Sequence, residues 1–277
     1  FVDLGVGVLD SAAVEACCFT ACLNGIPNHA TFVNCLSQED KTAKLKLELN
    51  RKTYILADLS SFSSIPTTPF AYWAPSKLRA LFSQLGSLNS HGFRVRQGLG
   101  SSDNFRFLKS WWEVREYQIG DSARWASYAK GGGYQPFWGD QDLLVLWEND
   151  GQEIKQFSAQ LYGTWSKQIT NVNYYSRPGL TYSSRGSEFS PRTLPKGSAF
   201  DTKGSCIFDI KGPDCPERLL RLLAITQSKI FRSLLNMCVA RSGDLARSYT
   251  ESLVEKMPIP SLEKIPDEFV GHVKSLI

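Results

Sequence analysis

Basic, glycine and small polar side chains are concentrated in residues 93–208, and their chemistry is that of binding. This stretch carries fourteen Lys and Arg residues and six of the seven tryptophans, interleaved with Gly, Asn and Ser. Guanidinium and ammonium groups contact phosphates, and Arg, Asn and hydroxyl side chains also reach base edges. The composition therefore suits a surface that receives a flat, negatively charged partner.

Four basic residues at the start of this stretch are the first candidates for such contacts. Arg94 and Arg96 point to one face if their segment is a strand, because side chains alternate with period two. Arg106 and Lys109 follow on a neighbouring segment. An Arg presented to the edge of guanine would discriminate between bases by about 1 to 3 kcal/mol. On charge alone, a solvated face is the favoured explanation.

The run Lys130-Gly131-Gly132-Gly133-Tyr134 is the second candidate. Glycines expose backbone N–H groups that can cradle a phosphate, and Lys130 would add a positive charge. The run lacks the Gly-x-x-x-x-Gly-Lys-Ser/Thr order of a P-loop. On the glycines alone, a flexible hairpin explains it as well as a phosphate site does.

Catalytic and metal-binding arrangements fit the sequence poorly. None of His29, His91 and His272 has a Ser or Cys nucleophile in a recognisable elbow. The seven cysteines include no Cys-x-x-Cys pair and have no zinc-type spacing with the histidines. The acids Asp140, Asp142, Glu148 and Asp150 are typical of turn-flanking positions. We predict no catalytic residue and no metal site in this chain.

Charge is placed unevenly along the 277 residues. The net charge is +4, yet residues 1–50 carry −3, so residues 51–277 carry +7. Such asymmetry favours a polyanionic partner for the longer part. The odd cysteine count indicates a reduced, cytoplasmic protein, and the absence of a long apolar run predicts no membrane partner.

The order of short motifs carries a resemblance to a known family. The motifs are Arg-x-Gly-Leu (96–99), Asp-Asn-x-Arg-Phe-Leu (103–108), Trp-x-Glu-Val (111–114), Lys-Gly-Gly (130–132), Gly-Leu-Thr-x-Ser (179–183), Phe-Ser-x-Arg (189–192), Phe-Asp (200–201) and Gly-Ser-x-Ile-Phe (204–208). In this order they resemble the target-recognition region of PglX-type adenine-specific DNA methyltransferases of BREX phage-defence systems, and of related fused restriction-modification enzymes.

The resemblance implies a protein that reads DNA without the catalytic half. Methylases of this kind use an Asn-Pro-Pro-Tyr/Phe motif, which is absent here. The segment Asp3 to Gly7 has a weak Gly-x-Gly signal for a nucleotide or S-adenosylmethionine loop. The resemblance instead makes it one of the last strands of the methylase sheet. We expect no cofactor in this chain and S-adenosylmethionine in the full-length parent, with the target adenine flipped out of the stack.

The implied partners are double-stranded DNA, the catalytic methylase domain of the same full-length protein and further defence-system subunits, in a bacterial or archaeal cytoplasm. The alternative is a stand-alone specificity subunit that binds separate methylase partners. The residues predicted to contact DNA are Arg94, Arg96, Asn104, Arg106, Lys109, Tyr128, Lys130, Gly131, Gly132, Tyr134, Thr181, Ser183, Arg185 and Arg192.

The elements that must position these residues predict a mixed α/β (α+β) fold. Residues 1–50 would be the C-terminal remnant of the methyltransferase sheet, and residues 51–277 the target-recognition domain. Within the latter, 93–209 is predicted to be β-rich, with strands such as 143–147 and 174–175. Apolar residues recur at helical spacing from Pro216 onward, and the prolines at 258 and 260 end the last predicted helix.

Two predictions concern the segments before residue 93. Ser37 to Arg51 begins as a helix, with Ser37 as N-cap, although the alternating Leu45, Leu47 and Leu49 indicate an extended end. Tyr72 and Trp73 lie in an aromatic turn before an amphipathic helix and are predicted to be core residues.

Overall fold

The computed structural model describes residues 1–9, 14–21, 29–36, 40–213, 215–239 and 247–277. Their backbone divides into two units, Phe1–Gln84 and Leu85–Ile277. The strands are β1 (Val2–Gly5), β2 (Ala16–Cys18), β3 (His29–Asn34), β4 (Ile55–Asp58), β5 (Gly86–Ser87), β6 (Phe93–Arg96), β7 (Leu108–Ser110), β8 (Trp125–Ala129), β9 (Leu143–Leu146), β10 (Gly179–Thr181), β11 (Arg185–Gly186), β12 (Arg192–Leu194), β13 (Ser198–Phe200), β14 (Cys206–Asp209), β15 (Arg247–Ser248) and β16 (Pro258–Ile259).

The helices are α1 (Lys41–Arg51), α2 (Ser76–Gln84), α3 (Asn104–Phe107), α4 (Glu148–Tyr162), α5 (Pro216–Thr226), α6 (Lys229–Cys238), α7 (Glu251–Glu255) and α8 (Asp267–Leu276). The predicted mixed α/β class with C-terminal helices is confirmed. Within the described residues, every helix is too short or too polar to cross a membrane. The assignment of residues 1–50 to a methyltransferase domain stays a prediction.

The first unit is a four-stranded sheet in the order β2-β1-β3-β4, with β1 and β3 parallel and the other neighbours antiparallel. Phe32 of β3 stacks on Tyr72, with ring centroids 4.9 Å apart. The Tyr72 hydroxyl donates to a carboxylate oxygen of Asp3 at 3.1 Å. Burial raises the pKa of Asp3, and the hydrogen bond from Tyr72 partly opposes this shift. The strand of the Gly-x-Gly segment is thus anchored by aromatic packing.

Two sequence predictions for the first unit are wrong in part. Helix α1 runs without a break to Arg51, and its N-cap is Asp40, whose carboxylate accepts from the Ala43 amide at 2.9 Å. The predicted cap Ser37 lies outside the described residues. An ion pair between Lys44 and Glu48, one turn apart, favours helix where the leucine alternation indicated an extended end. Tyr72 is buried as predicted, whereas Trp73 is 47% exposed.

The second unit is built on two four-stranded sheets. One is antiparallel, in the order β12-β10-β14-β6. The other has the order β13-β8-β9-β7, in which β9 runs antiparallel to β7 and β8, and β13 runs parallel to β8. Phe200, Cys206 and Phe208 belong to one buried cluster, and Phe200 and Phe208 lie on different sheets with ring centroids 5.3 Å apart. The two sheets therefore share a core.

Several elements of the second unit differ from the sequence prediction. The run at 174–175 is not a strand, because residues 172–174 form a single 3₁₀ turn whose Tyr174 packs on Phe208. The acids Glu148 and Asp150, predicted to flank a turn, lie within the first turn of α4. The backbone of Asn149, Asp150 and Gly151 is nevertheless left-handed. Helix α8 follows the prolines that were predicted to end the last helix.

Candidate nucleic-acid interface

In the β13-β8-β9-β7 sheet, strands β7, β8 and β13 run in the same direction and finish at the same end of the sheet. Strands β7 and β8 both run antiparallel to β9, and β13 runs parallel to β8. Ala129 pairs with Phe200, and Lys109 and Ser127 both pair with Leu144. Neighbouring strands are about 4.8 Å apart. The residues from 130 and 201 onward therefore leave this end of the sheet side by side, and those from 111 onward leave the same end on the other side of β9.

The end of β10 in the other sheet meets two of these segments. The Ser183 hydroxyl accepts from the Gly132 amide at 2.8 Å and donates to the Gly132 carbonyl at 2.6 Å. The Ser184 amide donates to the Lys203 carbonyl at 2.9 Å. Residues 111–112, 130–134, 183–185 and 203 thus lie at one edge where both sheets end; we call them the strand-end surface.

Glycine at position 131 is required by this convergence. A Cβ atom there would lie 2.5 Å from the Lys203 carbonyl oxygen, whereas a Cβ on Gly132 or Gly133 would meet nothing within 4 Å. The Gly132 amide is engaged by Ser183, so it does not present a free donor to a phosphate. The charge of Lys130 is the feature of this loop that suits an anion.

Three cations of the strand-end surface have no anionic partner. Lys130 is half-buried, while Lys203 and Arg185 are exposed. Within the described ranges, no carboxylate forms an ion pair with any of the three. They come from three separate segments that backbone hydrogen bonds hold together. The fold therefore gathers positive charge at this edge and leaves it uncompensated.

The other predicted cations are engaged inside the protein. Arg94 and Arg96 do share a face of β6, because Phe93 and Val95 are buried between them. Arg94 donates to the side-chain oxygen of Asn89, and Arg96 forms an ion pair with Glu255 at 2.9 Å. Arg106 pairs with Glu153 at 2.8 Å, and Lys109 pairs with Glu113 at 3.7 Å. Arg96, Arg106 and Lys109 are therefore paired with an acid, whereas Arg94 bonds to neutral groups and forms no ion pair with the described residues.

Four predicted residues are buried. Tyr128 is 2% exposed and its hydroxyl donates to the Leu99 carbonyl at 2.8 Å; burial, more than the nearby Asp201, raises its pKa far above that of free tyrosine. Thr181 and Ser183 are also buried and bond to backbone of Gly204 and Gly132. The structure gives these side chains bracing roles. Period-two alternation in the sequence did not reveal which face was the core.

Arg192, the fourth buried residue, lies under the loop at 130–134. It is 5% exposed, and its Nη2 donates to the Lys130 carbonyl at 3.1 Å. Its Nη1 is buried and makes no hydrogen bond to the described residues. Burial lowers the pKa of Arg192, and the neighbouring Cys206 opposes this shift only in part. Burial also raises the pKa of the Cys206 thiol to about 12, so this group stays neutral.

Exposed aromatic rings accompany the free charges. Trp111 and Trp112, which follow β7, are 53% and 64% exposed and meet edge to face at 5.8 Å. Tyr134 is 50% exposed. Asn104 is exposed at the start of α3, where its side-chain oxygen accepts from the Ser101 hydroxyl. These rings and the amide are groups that can stack on bases or bond to their edges.

Sequence reasoning missed Lys203, Trp111 and Trp112 as site residues. Lys203 could have been found, since it separates the Phe-Asp and Gly-Ser-x-Ile-Phe motifs and so stands in a turn between two strands. In the part of the chain that the structure describes, no group of three His, Cys, Asp or Glu residues could hold a metal ion. The arrangement is suited to binding an extended anion.

Comparison with known proteins agrees with the resemblance carried by the motifs. The chain is 29% identical over 159 residues to the adenine-specific methyltransferase PglX of Lacticaseibacillus casei (strain Zhang), covering 54% of this chain and 13% of that protein. It is 31% identical over 156 residues to the adenine-specific methyltransferase BrxX of Escherichia coli O9:H4 (strain HS), covering 54% and 12%. The chain thus spans about an eighth of the length of these relatives. The predicted resemblance is confirmed.

Two further comparisons complete this description. No protein-family model matches the chain. Among solved structures, the type IIG restriction endonuclease BpuSI is similar with a TM-score of 0.43 and 10% identity, over 89% of this chain and 35% of that one.

Proposed function

We propose that this chain is the DNA-reading part of an adenine-specific DNA methyltransferase, and that duplex DNA binds to its strand-end surface. The observation that carries the proposal is the gathering, where two sheets end, of Lys130, Lys203 and Arg185, which form no ion pair with any described residue. The similarity of the chain to methyltransferases gives a reason for DNA as the anion. In this proposal the rest of a longer protein supplies the catalytic domain.

Free cations bind a duplex more strongly than ion-paired ones. DNA carries one negative charge per about 1.7 Å of helix axis, and each phosphate contact releases condensed counterions. A lysine that is paired with a carboxylate must break that ion pair before it binds a phosphate. Until then, the negative charge of the carboxylate offsets the attraction of the lysine for the DNA. The unpaired cations would therefore supply the phosphate contacts that fix the register of the duplex.

Base contacts are assigned to the polar and aromatic groups of the same region. Tyr134 and Asn104 are exposed and able to bond to base edges. Arg106 would have to leave Glu153 in order to read a guanine. Trp111 and Trp112 are available for stacking. Together with the phosphate contacts, these groups would make binding depend on sequence.

The methyl donor is proposed to bind outside this chain. The relatives are methyltransferases, which implies S-adenosylmethionine for a full-length parent. Gly5, the last residue of β1, has φ +66°, and the Leu36 side chain lies so close that an added Cβ would be 2.8 Å from it. Calorimetry of this chain with S-adenosylmethionine is expected to show no binding heat. Saturable binding at micromolar concentration would contradict the proposal.

A pair of single lysine substitutions tests the proposed interface. Lys130→Ala is expected to weaken binding to every duplex alike and to lower the slope of log K against log salt concentration by about 0.9, the value for one phosphate contact. Lys109→Ala removes the same charge from a lysine paired with Glu113 and is the matched control. We expect it to change the slope by less than half as much, as measured by fluorescence anisotropy.

Equal slopes for the wild-type chain and Lys130→Ala would remove this loop from the interface. An equal fall of the slope in both variants would show that general charge, and not the strand-end surface, determines binding.

A further inference from the structure

Arg192 is a buried cation whose charge no acid balances. Its side chain is 5% exposed, and the structure gives it no ion pair within the described residues. The neighbouring Cys206 is fully buried and neutral at physiological pH. Within the described ranges, no negative charge therefore balances the Arg192 guanidinium.

Arg218 shows how the same fold balances a guanidinium elsewhere. Its Nε and Nη2 bond to the buried carboxylate of Asp209, and Nη2 also donates to the His91 carbonyl. That arginine closes a complete ionic network between β14 and α5. In contrast, Arg192 bonds to one carbonyl through Nη2 and leaves Nη1 unpaired.

An unpaired buried guanidinium is destabilising on its own. Removing a charge from water costs several kcal/mol unless a partner offsets the loss. Stability therefore gives no reason for a guanidinium at this position. The backbone of Gly139 packs closely on the Arg192 side chain, because a Cβ added at Gly139 would lie 2.6 Å from Cδ of Arg192. An unbranched apolar side chain could occupy the same space.

The position of Arg192 indicates a role in the loop at 130–134. The guanidinium lies beneath the carbonyl of Lys130, at the base of the loop that also carries the Lys130 charge. The loop is held from the other side by Ser183 and cannot move away freely. A phosphate bound to this loop would contact the Lys130 ammonium group directly. It would also be attracted by the Arg192 charge, which lies behind the Lys130 carbonyl.

We infer that Arg192 is a positioning residue for a phosphate site on the loop at 130–134. It fixes the Lys130 carbonyl and places beneath the loop a charge that a phosphodiester of bound DNA neutralises. This inference rests on the proposed function and specifies which part of the surface holds the DNA backbone. Arg192 itself acts through the loop and does not touch the phosphate.

Replacement by methionine separates this role from a structural one. Arg192→Met is expected to leave the melting temperature unchanged or to raise it, because an unbalanced buried charge is removed. The same variant is expected to bind duplex DNA about fivefold more weakly at 0.15 M salt, near the effect of one lost phosphate contact. Arg192→Lys keeps the charge and is expected to retain most of the affinity.

Arg218→Met is the control for stability. It leaves the Asp209 carboxylate buried without its partner, so the melting temperature should fall by about 5 to 10 °C. A fall of the same size in Arg192→Met would show that Arg192 is only structural and would overturn the inference. Melting curves and anisotropy titrations on the same four proteins, including the wild type, give both readouts.

The outcomes also separate this inference from the proposed function. If the wild-type chain does not bind duplex DNA, the proposed function fails, and the inference fails with it. If the wild type binds and Arg192→Met binds equally tightly with the same salt dependence, the inference alone is wrong. Stabilisation of the wild type by inorganic phosphate at matched ionic strength, without DNA binding, would assign the site to a free anion and overturn both.

Discussion

Gly98→Ala is expected to destabilise the chain by roughly 3 to 5 kcal/mol, above the usual cost of about 1 to 3 kcal/mol for overpacking a core, because the clash is with backbone. A Cβ at this position would lie 1.8 Å from the Phe200 carbonyl oxygen. The backbone cannot retreat, because the Leu99 amide donates to that oxygen at 2.9 Å and the Gly98 amide donates to the Asp201 carbonyl at 3.3 Å. Leu99 and Phe200 are themselves fully buried.

Gly100→Ala is the matched control, two residues further along the same segment. Its Cβ would lie 2.9 Å from Oε1 of Gln168, the end of a flexible side chain that can turn away. We expect a loss below about 1 kcal/mol, because Ala also restricts the unfolded chain. Denaturant titrations of both variants measure the difference. Equal midpoints would mean that the close approach of Gly98 to Phe200 is not a feature of the folded protein.

Removing the three unpaired cations together is expected to have the largest effect on binding. The variant Lys130→Ala, Arg185→Ala, Lys203→Ala loses three proposed phosphate contacts, equivalent to about a hundredfold loss of affinity at 0.15 M salt. The three residues form no ion pair with the part of the chain that the structure describes, so stability should change little. Melting temperature and duplex affinity measured on one preparation would show this separation.

The control variant carries the same change of charge elsewhere. Lys44, Lys109 and Arg124 are at least partly exposed, and each faces a glutamate. Their replacement by alanine lowers the net charge by three, as in the first variant. If the position of charge governs binding, the control loses much less affinity. If net charge alone governs it, the two variants behave alike.

The spacing of apolar and charged residues predicted those helices and strands that depend on neighbours in the sequence. The apolar spacing after Pro216 predicted α5 and α6, and both helices are present. Alternation placed Arg94 and Arg96 on one face of a strand, which β6 confirms. Helix α8 was missed, although Asp267 and Glu268 in its first turn and the buried Val270 and Val273 are helix signals.

The partners of charged side chains were beyond such signals. Glu153 lies 47 residues from Arg106, and Glu255 lies 159 residues from Arg96. Only the assembled sheets show that these arginines are paired while Lys130 and Arg185 are not. The burial of Tyr128 and Arg192 has the same origin, because it depends on which segments pack against each short strand.

The salt dependence of duplex binding tests the proposed interface most directly. The slope of log K against log salt concentration would be measured for the wild-type chain, for the variant lacking Lys130, Arg185 and Lys203, and for the control variant. We predict that the first variant has a slope smaller than that of the wild type by about 2.7, corresponding to three phosphates, and that the control differs by less than about 1. Equal slopes in all three proteins, or equal losses in both variants, would contradict DNA binding at the strand-end surface.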